Sequence, residues 1–204
     1  MSNEGTGIVP AALEFEPDSS SKKKKGVHKP VYSPVFTQKP VQNTDIGCIH
    51  LLVNPFSGKK KGQKIGEKVK QILENEGNSV EVHFSAHSGH LIDIAESIQA
   101  QPNDVFAVVG GDGSLSEVIT GRMKATSERS ERFALIPAGT GNSVANDLRL
   151  TSTEQAVQGI LKGTWQNLDL ARVEMMEGLP GSEKGRTVRY SHNLVTWGLG
   201  VDST

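Results

Sequence analysis

The 204 residues carry 22 Lys and Arg against 23 Asp and Glu, a formal net charge of -1 with histidine neutral, and 35% hydrophobic residues. That balance excludes the broad basic field of a nucleic-acid binder and leaves only local basic patches. Cys48 alone forms no internal disulfide and supplies no thiolate metal site, no apolar run approaches the ~20 residues that span a bilayer, and neither MSNEGTGIVP nor Ser2 offers a secretory leader or a myristoylation signal.

Residues 1–45 hold Pro10, Pro17, Pro30, Pro34, Pro40, a Ser19–Ser21 cluster and the run Lys22, Lys23, Lys24, Lys25, without helical or strand periodicity. They read as a disordered tail. The four lysines are a solvated charge run that also attracts anionic lipid at about 1 kcal/mol each near a surface. A cytoplasmic chain with peripheral contact at intracellular membranes is the expectation.

From Ile46 the texture becomes short apolar runs alternating with helical spacing, the pattern of a parallel sheet with crossover helices. The chain order predicts a strand over 46–53, a helix on Ile65, Val69, Ile72 and Leu73 with Gly77 as its cap, and a strand over 80–84. A helix on Leu91, Ile94, Ala95 and Ile98 follows, then a strand over 105–109 and a helix on Leu115, Val118 and Ile119. A strand over 133–136 stops at Pro137, a short helix follows Gly141, and Ala156, Val157, Ile160 and Leu161 line a helix ended by Gly163. The segments 168–173 and 187–196 read as an antiparallel hairpin. The expected organisation is a tail over 1–45, a three-layer α/β domain over 46–163, and the opening strands of a β-rich unit over 164–204.

In an open α/β sheet ligands bind beyond the carboxyl ends of the strands. Three loops there share a glycine-rich character: Asn54-Pro55-Phe56-Ser57-Gly58 with Lys59, Lys60, Lys61 and Lys64 close behind, Gly110-Gly111-Asp112-Gly113-Ser114, and Pro137-Ala138-Gly139-Thr140-Gly141-Asn142-Ser143. Glycines admit a bulky anion to the backbone, and N–H groups at a following helix start donate to phosphate oxygens. Three such loops on one edge point to a polyphosphate. Neither a Walker A loop nor the G-x-G-x-x-G fingerprint is present, since Val144 stands at the third glycine. Asp112, between two glycines at a strand end, is placed to hold Mg²⁺ or accept a proton from an attacking hydroxyl. The bland counterpart is a capping box, Ser114-Leu115-Ser116-Glu117, in which Ser114 merely closes the helix start. The six histidines, His28, His50, His83, His87, His90 and His192, show no ligand spacing with one another or with Cys48.

The ordered trio of loops resembles the catalytic domain of the diacylglycerol kinase family, which includes sphingosine and ceramide kinases. The resemblance covers 46–204. It implies ATP across the three loops: Asn54, Pro55, Ser57 and Gly58 near the nucleotide, Gly110, Gly111, Gly113 and Ser114 under the phosphates, Gly139, Thr140, Gly141 and Asn142 completing the cradle, and Ser85 facing the nucleotide where the family often has Thr. It implies that Asp112 organises Mg²⁺ or serves as base, that Glu117 supports it, that Asp202 lies near the acceptor headgroup, and that a lipid hydroxyl attacks the γ-phosphate. Ser116 and Ser143 depart from frequent Asn and Asp, which leaves the acceptor open between diacylglycerol and a sphingoid base. The resemblance also implies a second β-rich domain of which this chain holds only the opening. Two alternatives stand beside it: a soluble-substrate kinase of the NAD kinase or phosphofructokinase type, which shares GGDG, and a truncated module that binds nucleotide without transferring phosphate.

Overall fold

The computed structural model describes residues 6–8, 41–125, 131–176 and 186–192. In chain order these form β1 (Thr6–Ile8), β2 (Val41–Gln42), β3 (Ile49–Val53), a turn α1 (Ser57–Lys60), α2 (Gly62–Asn75), β4 (Val80–Phe84) and α3 (His90–Ser97). Then come β5 (Val105–Gly110), α4 (Asp112–Ala125), β6 (Arg132–Pro137), α5 (Ser143–Asp147), α6 (Thr153–Lys162), β7 (Thr164–Leu168), β8 (Ala171–Met176) and β9 (Arg186–Ser191). Every residue of β3 and β5 is buried, which is why both read as unbroken apolar runs: helices cover them on each face. At the sheet edge, β4 exposes Glu81 and Phe84.

The large sheet runs β2-β7-β1-β6-β5-β3-β4. β1, β6, β5, β3 and β4 are parallel, while β7 pairs antiparallel with β1 and β2. Register places Val53 opposite both Phe84 and Val109, and Val109 opposite Ile136. The four central strands therefore end level, and the loops that follow them emerge on one rim. The step from β3 to β4 moves one way along the sheet, and the steps through α3 and α4 move the other. Right-handed crossovers then put α2 on one face and α3 with α4 on the opposite face.

Helix boundaries follow local chemistry. Ser152 Oγ accepts from Gln155 N at 3.2 Å to start α6, and Gly163, at φ 61, ends it. After α2, Asn78 N donates to Leu73 O at 3.1 Å across Gly77, a C-terminal cap of the kind its glycine announces. Arg122 on α4 is buried and donates to the carbonyls of Ala95 (2.8 Å) and Ile98 (2.7 Å), closing the end of α3, while pairing with Glu131. Among the described residues no helix is long and apolar enough to cross a membrane.

Three expectations are corrected here. Thr6–Ile8 and Val41–Gln42, inside the stretch read as a tail, are sheet strands; a short strand can form without periodicity of its own when neighbouring strands supply its partners. The sheet extends past 163, because β7 belongs to it rather than to the β unit. The hairpin is made by β8 and β9, with Ala171 opposite Ser191 and Met176 opposite Arg186, so Leu168 lies outside it. This hairpin begins a second β unit, and hydroxyls of α4 pin it. Ser116 Oγ donates to Tyr190 O at 2.9 Å, and Tyr190 N donates to Thr120 Oγ1 at 3.2 Å.

Candidate functional site

β3 is the strand at which the sheet order reverses, with β4 on one side and β5 on the other. At such a switch point the loops leaving two adjacent strands diverge and open a crevice. All three glycine loops converge on it. Asn54 N donates to Val109 O at 3.0 Å, Asn54 Oδ1 accepts from Phe56 N at 3.0 Å, and Asn54 Nδ2 donates to Ser114 Oγ at 3.2 Å. One side chain thus shapes the β3 loop and ties it to the first turn of α4. From the other side, Gly110 O accepts from Ala138 N at 2.8 Å, joining the loops after β5 and β6.

Gly139 and Gly111 lie close together. A Cβ on Gly139 would lie 2.6 Å from Gly111 Cα and 2.8 Å from Asn142 Oδ1, so Gly139 accepts no side chain without moving the loops apart, and a Cβ on Gly58 would meet Ala138 O at 2.4 Å in the same way. Asn142, at φ 50, folds back on the same glycine: its Oδ1 accepts from Gly139 N at 2.9 Å and its Nδ2 donates to Gly139 O at 2.8 Å.

Asp112 bridges these loops. Its Oδ2 accepts from Ser143 N at 2.8 Å and its Oδ1 from Val144 N at 3.0 Å, so the half-buried carboxylate caps α5 from the start of α4. Each oxygen keeps a lone pair beyond the bond it accepts. The turn after β3 holds Gly58, Lys59 and Lys60 at φ 56, 60 and 67. Two lysines in the left-handed region are an uncommon strain, of the sort that clusters at ligand clamps. Both are exposed on the rim of the crevice.

The remaining expected residues have these places. Ser114 lies inside α4, which already starts at Asp112, and Glu117 Oε1 accepts from Gly89 N at 3.0 Å. The capping box therefore does not form, and Glu117 instead anchors the start of α3. Ser85 is buried beyond β4, with its N donating to Val53 O at 2.9 Å. Pro55 is half-buried, and Gly113, Thr140 and Gly141 are exposed. Asp202 and Lys22 to Lys25 lie outside the described residues.

One residue was not picked out by spacing. His192 follows β9, with both ring nitrogens buried and without a hydrogen-bond partner among the described residues. Burial pushes its pKa below the usual 6.5, and the Asp112 carboxylate pulls weakly the other way. The second β unit thus brings a neutral imidazole into the field of Asp112. No local signal announces this, because the two residues are joined only by the docking of the hairpin on α4.

A parallel sheet with glycine loops gathered over its switch point is the architecture of a nucleotide-binding α/β domain. The Diacylglycerol kinase catalytic domain profile matches residues 48–173, more than half of the chain, and the chain belongs to that family. It is 28% identical over 197 residues to Sphingosine kinase 1 of Arabidopsis thaliana, covering 92% of this chain and 38% of that protein. Against Sphingosine kinase B of Dictyostelium discoideum it is 30% identical over 147 residues, 71% of this chain and 19% of the relative. The crystal structure of a diacylglycerol kinase from Bacillus anthracis shares the fold, at a TM-score of 0.51 and 22% identity, over 65% of this chain and 46% of that one. The chain spans less than half the length of each of these proteins.

Proposed function

We propose that this chain carries the nucleotide-binding part of an ATP-dependent lipid kinase that transfers the γ-phosphate to a hydroxyl of diacylglycerol or a sphingoid base. The observation that carries the reading is the convergence of the three glycine loops on the switch point, with Asp112 bonded across two of them. Relatives named as sphingosine kinases support a lipid acceptor over a soluble one.

In this reading Asn54, Pro55, Ser57, Gly58 and Ser85 line the nucleotide, Gly110, Gly111, Gly113 and Ser114 underlie the phosphates, and Gly139 to Asn142 close the cradle. Lys59 and Lys60 screen phosphate charge from the rim. Asp112 holds the β6 loop in register and presents its remaining lone pairs to the crevice. Mg²⁺ keeps several waters and uses few protein ligands, so a carboxylate already accepting two N–H bonds fits it through water. Mg²⁺ held there through Asp112 would supply positive charge against the negative charge that builds during transfer. The acceptor hydroxyl must lose a proton, and in this reading Asp112 or the ring of His192 takes it. Glu117 is a positioning residue that acts through Gly89, and Asp202 would meet the acceptor from the second β unit. Lys22 to Lys25 would bring the chain to anionic lipid from the cytoplasm, a contact that weakens as salt shortens the Debye length from about 10 to 3 Å.

The test is transfer of labelled γ-phosphate from ATP to diacylglycerol or sphingosine in mixed micelles, with Asp112→Asn beside the parent chain. Transfer that the substitution abolishes supports the reading and names the acceptor. A folded chain that binds no ATP in the presence of Mg²⁺ sinks it. ATP binding without transfer by either form means that the rest of the β-rich second domain is needed for transfer, or that the chain only binds nucleotide.

A further inference from the structure

At the opposite end of the sheet, where the strands begin, adjacent parallel strands place chemistry side by side that the sequence keeps about thirty residues apart. His50 on β3 pairs in register with Glu81 on β4, and Leu52 with His83. Side chains two apart on a strand share a face, so Cys48 and His50 stand beside Glu81 and His83 on one face. Cys48 Sγ, a ring nitrogen of His50 and a Glu81 carboxylate oxygen all lie within 4.8 Å of one another, and His50 Nδ1 is 3.4 Å from Glu81 Oε2. His83 Nε2 is 4.0 Å from Glu81 Oε2. These groups line an open cavity of about 660 Å³ under the end of α3.

The decisive detail is the tautomer of His50, whose ring is 5% exposed. Its Nε2 lies 3.2 Å from Asp104 Oδ2. Asp104 is itself buried, and its carboxylate also accepts from Cys48 N at 2.8 Å and Gln101 N at 2.7 Å. A carboxylate used in this way is an acceptor, so Nε2–H donates and, in the neutral ring, Nδ1 presents a lone pair. That lone pair faces Glu81 Oε2 at 3.4 Å with no hydrogen bond between them, and His83 Nε2 is also buried without a partner. Two buried imidazole nitrogens without partners beside one carboxylate are a set that a bound cation would satisfy.

We propose that Cys48 Sγ, His50 Nδ1, Glu81 Oε2 and His83 Nε2 form a binding site for a divalent cation of the Zn²⁺ class, remote from the nucleotide crevice. A mixed sulfur, imidazole and carboxylate set is the preference of this ion. Bonds of about 2.0–2.3 Å at tetrahedral angles place neighbouring ligand atoms about 3.3–3.8 Å apart. The 3.4 Å between His50 Nδ1 and Glu81 Oε2 already falls in that range, Cys48 stands within 4.8 Å of both, and His83, 4.0 Å from Glu81 Oε2 and outside that trio, would have to turn inward to complete the set. Asp104 supplies the outer carboxylate that orients a ligating histidine in many zinc sites. The ion would cross-link β3 to the edge strand β4.

The test titrates the 204-residue chain with Zn²⁺ alone against a chromophoric chelator, and with Co²⁺ as an optical substitute. One equivalent is expected to bind, and Co²⁺ is expected to show tetrahedral d–d bands with a thiolate charge-transfer band. Cys48→Ser should remove that band, and Cys48→Ser and Glu81→Gln should each weaken Zn²⁺ binding at least about tenfold. Glu81 is 62% exposed, so its substitution leaves the fold intact, which circular dichroism checks. Asp112→Asn should leave the metal affinity unchanged. Absence of stoichiometric binding to the folded chain, or an affinity indifferent to both substitutions at the site, overturns the proposal.

Discussion

Asp112→Asn is the obvious variant for the candidate site, and the structure says it will do more than remove a charge. The carboxylate accepts one N–H on each oxygen, from Ser143 at 2.8 Å and Val144 at 3.0 Å. An amide offers a single acceptor oxygen, so one of those donors must face an NH₂ group. Losing a hydrogen bond to a charged group costs about 1.5–3 kcal/mol, and removing the negative charge from the start of α5 adds about 0.3–1 kcal/mol. The sum, about 2–4 kcal/mol, lowers the thermal midpoint of a chain this size by about 4–16 °C at 2–4 °C per kcal/mol. Because the broken bond releases the loop carrying Gly139 and Asn142, ATP affinity should fall in parallel. Differential scanning calorimetry and ATP titration, both on parent and variant, measure the two effects. An unchanged midpoint together with unchanged ATP binding would refute the bridging role of Asp112, and any loss of transfer would then belong to chemistry alone.

Three further outcomes follow from the same contacts. Arg122→Met strands the nearly buried Glu131 carboxylate and two carbonyls of the α3 end, so the urea midpoint should drop by the equivalent of about 3–5 kcal/mol; a drop under a third of that would mean water reaches the pair. Lys60→Gly relieves a left-handed residue at φ 67 and should stabilise by about 1 kcal/mol in the same titration, unless the strain is shared along the whole turn. His192 has a folded pKa below the ordinary 6.5, so the unfolded chain takes the proton first, and the stability that depends on a neutral ring is present above about pH 6.5 and lost as pH falls through that value toward the lower folded pKa. Urea titrations of His192→Gln across that range should show a shallower acid limb than the parent, and parallel limbs would exclude the ring from the linkage.

How much was legible beforehand differs by element. The interior strands β3, β5 and β6 announced themselves as apolar runs, and the helices as rows spaced at three and four. The loop trio was legible for a related reason: close backbone approach favours glycine, and Gly58, Gly111 and Gly139 stand where the loops nearly touch. The capping box that stood as the alternative for Ser114 and Glu117 does not form. The local spacing of Glu117 permits a bond back to its own helix start, but Gly89 of the neighbouring α3 competes for the same oxygen and wins.

What the sequence determined by itself was everything encoded within a few residues: element type, the rim on which the loops emerge, and the glycines that let those loops meet. Strand partnership was decided only by the tertiary structure. Thr6–Ile8 becomes a strand because β6 and β7 offer edges to it, β7 joins the large sheet instead of the hairpin, and the hairpin delivers His192 toward Asp112 through Ser116 and Thr120 of α4. Cys48, His50, Glu81 and His83 meet for the same reason. Parallel pairing brings together residues whose separation along the chain is set by the length of a crossover helix, and no local period records which side chains will then share a face.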